Sequence, residues 1–159
     1  MEALNIGLGA KKEIVTFTSA LDTLNHVTAE SGADTVEVQI ETLDSIVSKK
    51  LPALIKIDVE GFETEVLNGA TEVLQASTLK AIIIELNGSG KRYGYDENNI
   101  HEKLIGHKFL PYNYNPIDRS FMKMETYGSH NTIYIRDMDF VKARVETSRS
   151  IKVGRGRQL

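Results

Sequence analysis

No cysteine occurs in the 159 residues, so neither a disulfide framework nor a thiolate metal site is available. No apolar run approaches the ~20 residues that a membrane-crossing helix needs. The first residues also lack the basic and apolar regions of a secretory leader. These absences predict a cytoplasmic protein with no membrane partner. The four histidines, His26, His101, His107 and His130, show no ligand spacing on a shared helix face, and no metal centre is expected. A Ser-His-Asp hydrolase is disfavoured, because no Gly-x-Ser-x-Gly elbow follows a strand. Gly7-Leu8-Gly9 is followed by no helix and is not a phosphate loop. Gly90-Lys91 lacks the earlier glycine of a Walker loop, since Glu85 stands at that position.

What is present describes one ordinary globular domain. Hydrophobic residues make up 41% and charged residues 26%, enough for a real core at this length. The net charge of −3 hides an asymmetry: positions 142–159 sum to +5, so the rest of the chain sums to −8. A basic end can attract nucleic acid. The acidic body argues against a nucleic-acid groove, and Gly154, Gly156 and the lack of periodicity predict a solvated, disordered tail. The expected division is a domain over 1–145 and a basic tail over 146–159.

Alternation predicts strands at 3–9 and 13–18, joined by a hairpin turn at Gly9-Ala10-Lys11-Lys12. Ser19 to Asp34 is polar and reads as a loop, with a short helical turn near Leu21 to Leu24. Thr35 to Glu41 alternates cleanly, with Val36, Val38 and Ile40 on one face. Thr42 is placed to cap a short helix from Leu43 to Lys49, which Pro52 ends. The centre of the chain is Leu54 to Leu74. There a two-residue period (Ile55, Ile57, Val59) runs to Glu60, Gly61 breaks it, and a helical face follows through Phe62, Val66, Leu67, Ala70, Val73 and Leu74. Lys80 to Asn87 is apolar on both faces, as a strand covered on both sides requires, and predicts a parallel partner for the central strand. Asp96 caps a helix to Gly106 with Ile100, Leu104 and Ile105 inward. Strands follow at 108–114, 121–125 and 131–136, with Pro116 to Arg119 turning between the first two. Asp137 caps a last helix to Val145.

Lys56-Ile57-Asp58-Val59-Glu60-Gly61-Phe62-Glu63, continued by Glu65-Val66-Leu67-Asn68-Gly69-Ala70, resembles the central signature of FkbM-type methyltransferases. Thr42-Leu43-Asp44 and Ile82-Ile83-Ile84-Glu85 extend the likeness, which covers residues 3–140. The resemblance implies an α/β domain of doubly wound, Rossmann-like methyltransferase type, its mixed sheet closed by antiparallel C-terminal strands. It implies methyl transfer from S-adenosylmethionine to a hydroxyl oxygen of a saccharide or small metabolite. The family's glycine-rich Asp-x-Gly-x-Asn-x-Gly loop is not in this sequence, whose first residues resemble the family's third strand. The expectation is therefore an N-terminally truncated domain matching the latter two thirds, either a fragment or a form that has lost its first part. The first parallel strand then has an open edge, which predicts pairing with another copy.

Asp58, Glu60 and Glu85 are the candidate catalytic residues, expected to meet in one crevice at the carboxyl ends of two parallel strands. Carboxylates there suit removal of an acceptor proton and alignment of a sulfonium. An ionised group in an apolar strand is costly without such a purpose. Glu60 serves equally as a helix N-terminal charge, worth ~0.3–1 kcal/mol. Asp58 and Gly61 are the candidate cofactor-binding residues. Lys56 is expected to pair with Asp58 and, with Asn87, Tyr93 and His130, to contact the acceptor. Asn87-Gly88 also fits plain turn chemistry, and Gly90 to Tyr95 an ordinary surface loop. Two other readings stand beside the enzyme: a non-catalytic α/β module that pairs through its open edge, and, more weakly, a metal-dependent hydrolase.

Overall fold

The computed structural model describes residues 2–22, 25–29, 32, 34–47, 50–149, 152–153 and 157–158. Its strands form two mixed sheets where one was expected. The smaller sheet contains β1 (Gly7–Leu8), β2 (Glu13–Thr18), β3 (Val27–Thr28) and β4 (Thr35–Glu41), in the order β1-β4-β2-β3. Strand β4 has the predicted bounds, and its alternation brings Ile40 into the core. The predicted hairpin at Gly9 to Lys12 does not form: β1 runs parallel to β4, while β2 pairs antiparallel along β4's other side. Alternation shows that two segments are extended, but which strand each one joins depends on distant residues. The segment read as a loop, Ser19 to Asp34, contributes β3 against Thr16 and Phe17. Residues 23 and 24 of the expected helical turn lie outside the described residues.

Thr42 Oγ1 accepts from Ser45 N at 3.2 Å and caps α1 (Leu43–Val47), while positions 48 and 49 lie outside the described residues. The larger sheet is built from β5 (Leu54–Ile57), β6 (Ala81–Glu85), β7 (Leu110–Asn115), β8 (Ser120–Lys123) and β9 (Asn131–Ile135), in the order β5-β6-β9-β7-β8. Strands β5 and β6 are parallel, with Ile57 beside Ile84, as expected. The antiparallel pairs β6–β9, β9–β7 and β7–β8 close the sheet, also as expected. Strand β5 stops at Ile57, three residues short of its predicted end at Glu60, so Asp58 and Glu60 do not share a strand face.

The predicted helix from Phe62 to Leu74 is two short ones, α2 (Glu63–Asn68) and α3 (Thr71–Gln75). The reason is tertiary. A Cβ on Gly69 would lie 2.0 Å from the carbonyl oxygen of Gly9, so the backbone of the small sheet packs directly on this break. Asp44 from α1 then caps α3, its carboxylate accepting from Glu72 N at 3.0 Å and Val73 N at 2.9 Å. The apolar set remains in phase, and Val66, Leu67, Ala70, Val73 and Leu74 are all buried. They pack with Ile57, Ile82, Ile84, Phe109 and Tyr134, and with Ile100 and Leu104 of α4 (Glu97–Gly106). Asp96 caps α4 through Asn98 N, whereas Ile105, predicted inward, is 38% exposed because it lies off the Ile100–Leu104 face. The other sheet face meets α5 (Met138–Glu146), capped by Asp137, across an apolar groove of about 460 Å³. Of the basic tail, Lys152–Val153 and Arg157–Gln158 pair antiparallel.

Candidate functional site

Two turns leave the carboxyl ends of the adjacent parallel strands. After β5 the chain passes Asp58 and Val59 and enters the left-handed region at Glu60 (φ 51°) and Gly61 (φ 103°). Glycine tolerates this conformation; a glutamate held there costs on the order of 1 kcal/mol and marks a position shaped by its surroundings. After β6, Asn87 and Gly88 (φ 89°) lead into a 3-10 turn, Ser89–Tyr93, which Gly94 (φ 77°) ends. The turns touch: a Cβ on Gly61 would sit 2.6 Å from the carbonyl oxygen of Ser89. Arg92 Nη1 donates to the carbonyl of Glu60 at 3.2 Å.

The first turn faces the small sheet across a cavity of about 640 Å³. Leu8, Phe17, Val27, Val38, Ile40 and Phe62 supply apolar walls, with Asp22, Asn25, Asp58 and Glu60 as polar groups. Among the described residues three of these are carboxylates and none of the lining side chains is cationic. Apolar walls with a few convergent polar groups are what small-molecule sites share. Tyr93 ties the cavity together. Its hydroxyl donates to the Val27 carbonyl at 3.0 Å, its ring meets Phe62 edge-on at 5.5 Å, and burial raises its pKa.

The candidate residues divide. Asp58 and Glu60 both line the cavity, but Glu85 does not, so two of the three expected carboxylates meet there and Asp22 stands as the third. Glu85 lies on the sheet face of Ala81 and Ile83, and Asn87 Nδ2 is its partner at 3.5 Å. Lys56 pairs with Asp58 at 2.5 Å as expected, using Oδ2 of the carboxylate. Gly61 is buried in the turn. Asn87 Oδ1 accepts from Ser89 N at 3.0 Å, which is turn chemistry. Tyr93 braces the cavity wall through Val27 and Phe62, and His130 is exposed at the start of β9 outside the cavity lining.

Sequence reasoning missed two kinds of residue. Asp22 and Asn25 come from the segment read as a loop, and the left-handed Asp22 (φ 50°) left no trace in the periodicity. Glu63 is 2% exposed and accepts from Gly61 N at 3.1 Å and Val59 N at 3.4 Å, with its pKa raised by burial. Only its place in the quoted signature singled it out. Among the described residues no three His, Asp or Glu side chains are grouped to hold a metal ion, and no helix is long and apolar enough to cross a membrane.

A protein-family model described as "Methyltransferase FkbM domain" matches residues 6–115, more than half of the chain. No curated protein and no solved structure matches it.

Proposed function

Because the chain belongs to the methyltransferase FkbM domain family, we propose that the cavity between β4 and the Asp58–Phe62 turn is where it transfers a methyl group from S-adenosylmethionine to a hydroxyl oxygen of a saccharide or small metabolite. The observation that carries this is the lining itself, which among the described residues has three carboxylates, no cation and mostly apolar walls. Those walls fit an adenine ring. The carboxylates fit hydroxyl and amine groups and favour a sulfonium over an anion. Asp58 and the Gly61 turn would hold the cofactor, which supplies an electrophilic methyl group when bound. The strand order β5-β6-β9-β7-β8, parallel and then antiparallel, supports a Rossmann-like architecture of the methyltransferase kind.

In this reading the chain's own residues do three things. Phe17, Ile40 and Phe62 exclude water from one side of the reacting groups, which strengthens every charge interaction inside. Asp58, oriented by its ion pair with Lys56, presents negative charge toward the cavity and steadies the positive centre of the donor. The Glu60 carboxylate accepts the proton of the acceptor hydroxyl as the oxygen becomes nucleophilic. Glu85, Asn87 and His130 lie outside this lining and are given no part in the transfer.

A donor labelled in its methyl group, incubated with a panel of neutral and anionic sugar alcohols, tests this. Label should pass to neutral hydroxyl acceptors, more weakly to phosphorylated ones, and should drop at least about 100-fold with Glu60→Gln, the scale of general-base loss. Transfer that is indifferent to Glu60 would sink the assignment. One observation favours the second reading, an interaction module: β5 ends the larger sheet, and Leu54 on it is 54% exposed. Such an edge pairs with further strands. Sedimentation should then show concentration-dependent dimers that Leu54→Lys abolishes; monomers at all concentrations would remove that reading.

A further inference from the structure

Burying an ionised carboxylate is expensive unless hydrogen bonds replace its water. Among the described residues two acidic side chains are buried, Glu63 at 2% and Glu97 at 8% exposure. Both are spent on the same kind of partner. Glu63 Oε1 accepts from Gly61 N at 3.1 Å, and Glu97 Oε1 accepts from Gly88 N at 2.7 Å. Each glycine is left-handed and opens a turn at the end of one of two neighbouring parallel strands. The two turns are in contact, Gly61 against the Ser89 carbonyl and Gly90 against the Gly61 carbonyl, and the Glu97 side chain also reaches Gly90. The negative charge of Glu97 also contributes to raising the pKa of Glu63, behind burial. Neither carboxylate lines the cavity that holds Asp58 and Glu60.

We propose that Glu63 and Glu97 are paired positioning residues, a two-part clamp in which each carboxylate pins its own strand-end turn, so that the two packed turns hold Asp58 and Glu60 facing the cavity. This rests on the methyl-transfer reading only for what the clamp serves; the clamp itself is a statement about two backbone amides. An acceptor oxygen is what each amide requires, so an amide side chain should substitute for the carboxylate, whereas a methyl group should not.

The full chain is compared with its Glu63→Ala, Glu63→Gln, Glu97→Ala and Glu97→Gln variants. The readouts are hydrogen exchange at the Gly61 and Gly88 amides and affinity for S-adenosylhomocysteine. Each alanine variant should speed exchange at its own glycine and weaken affinity, both by about tenfold, the scale of one charge-assisted hydrogen bond. Each glutamine variant should stay within about threefold of the unaltered chain, since its carbonyl still accepts. If Glu63→Ala fails to fold, Glu97→Ala and Glu63→Asp, which withdraws the carboxylate by one methylene, carry the same comparison. Unchanged glycine exchange in the alanine variants overturns the clamp, as does an affinity loss equal in Gln and Ala variants. An unaltered chain that binds no S-adenosylhomocysteine removes the cofactor reading and leaves the exchange rates to decide the clamp alone.

Discussion

Glu60 carries two demands that conflict. Its side chain lines the cavity, while its backbone sits at φ 51°, where a Cβ is crowded. Evolution toward stability alone would place glycine there, as it does at Gly61. Glu60→Gly should therefore leave the fold as stable or raise stability by up to about 1 kcal/mol, while abolishing methyl transfer. Chemical denaturation paired with the transfer assay checks both halves, and a destabilised but fully active variant would refute them. Asp58 and Glu60 were legible in the sequence because carboxylates directly after an apolar strand are conspicuous. The Lys56–Asp58 ion pair was legible from its spacing of two. Glu63 was not: an acidic residue in the first turn of a helix is ordinary on a solvated face. Its burial depends on the turn after β6 and on α4, which lie more than 20 positions away.

At the scale of elements, the sequence showed where apolar faces lie better than where helices end. Phe62 to Leu74 keeps one helical phase throughout, yet Gly69 and Ala70 interrupt it because Gly9 and Asp44 arrive from outside. The far end of α3 is finished by another distant residue. Arg136, just beyond β9, donates to the carbonyls of Leu74, Ala76 and Leu79 and lies 4.4 Å over the ring of Phe109. Removing it orphans carbonyls at a helix end. Arg136→Ala should cost about 2–3 kcal/mol, and Arg136→Lys should recover only part, because an ammonium cannot span three acceptors. Thermal or urea unfolding measures both; full recovery by lysine would show that charge rather than fork geometry matters.

Helix α5 makes a pH-dependent attachment. Lys80 bonds Asp137 at 2.8 Å and holds its carboxyl below the ordinary value of 3.8. A depressed acid stabilises the fold above its unfolded pKa, and that contribution disappears as pH falls through the folded value. Asp137→Asn keeps an oxygen for the cap but loses the charge pair. The variant should thus differ from the parent above pH ~4 and converge with it in stronger acid; a difference that grows with acid would contradict this.

For the whole molecule, the family signature pointed to the candidate site, and the topology around it came from pairings that periodicity does not encode. One doubly wound sheet was expected. Instead β4, in sequence only a helix away from β5, belongs to a separate sheet, and the cavity is the gap between the two. Among the described residues β5 has a neighbour on one side alone, which is the open edge expected of the first parallel strand. Cavity walls from both sheets explain why Phe17, Asp22 and Val27 escaped notice: their importance comes from facing Asp58 and Phe62, more than 30 residues onward. Tyr93, bonded to Val27 and edge-on to Phe62, joins the two halves.

Calorimetric titration of the chain with S-adenosylhomocysteine puts the cavity assignment to its most direct test. Saturable binding near micromolar, about −8 kcal/mol, weakened at least tenfold by Asp58→Asn and unaffected by Ile117→Ser on the exposed β7–β8 turn, is the predicted result. Heat no different from buffer up to millimolar ligand, or binding that ignores Asp58, would contradict it.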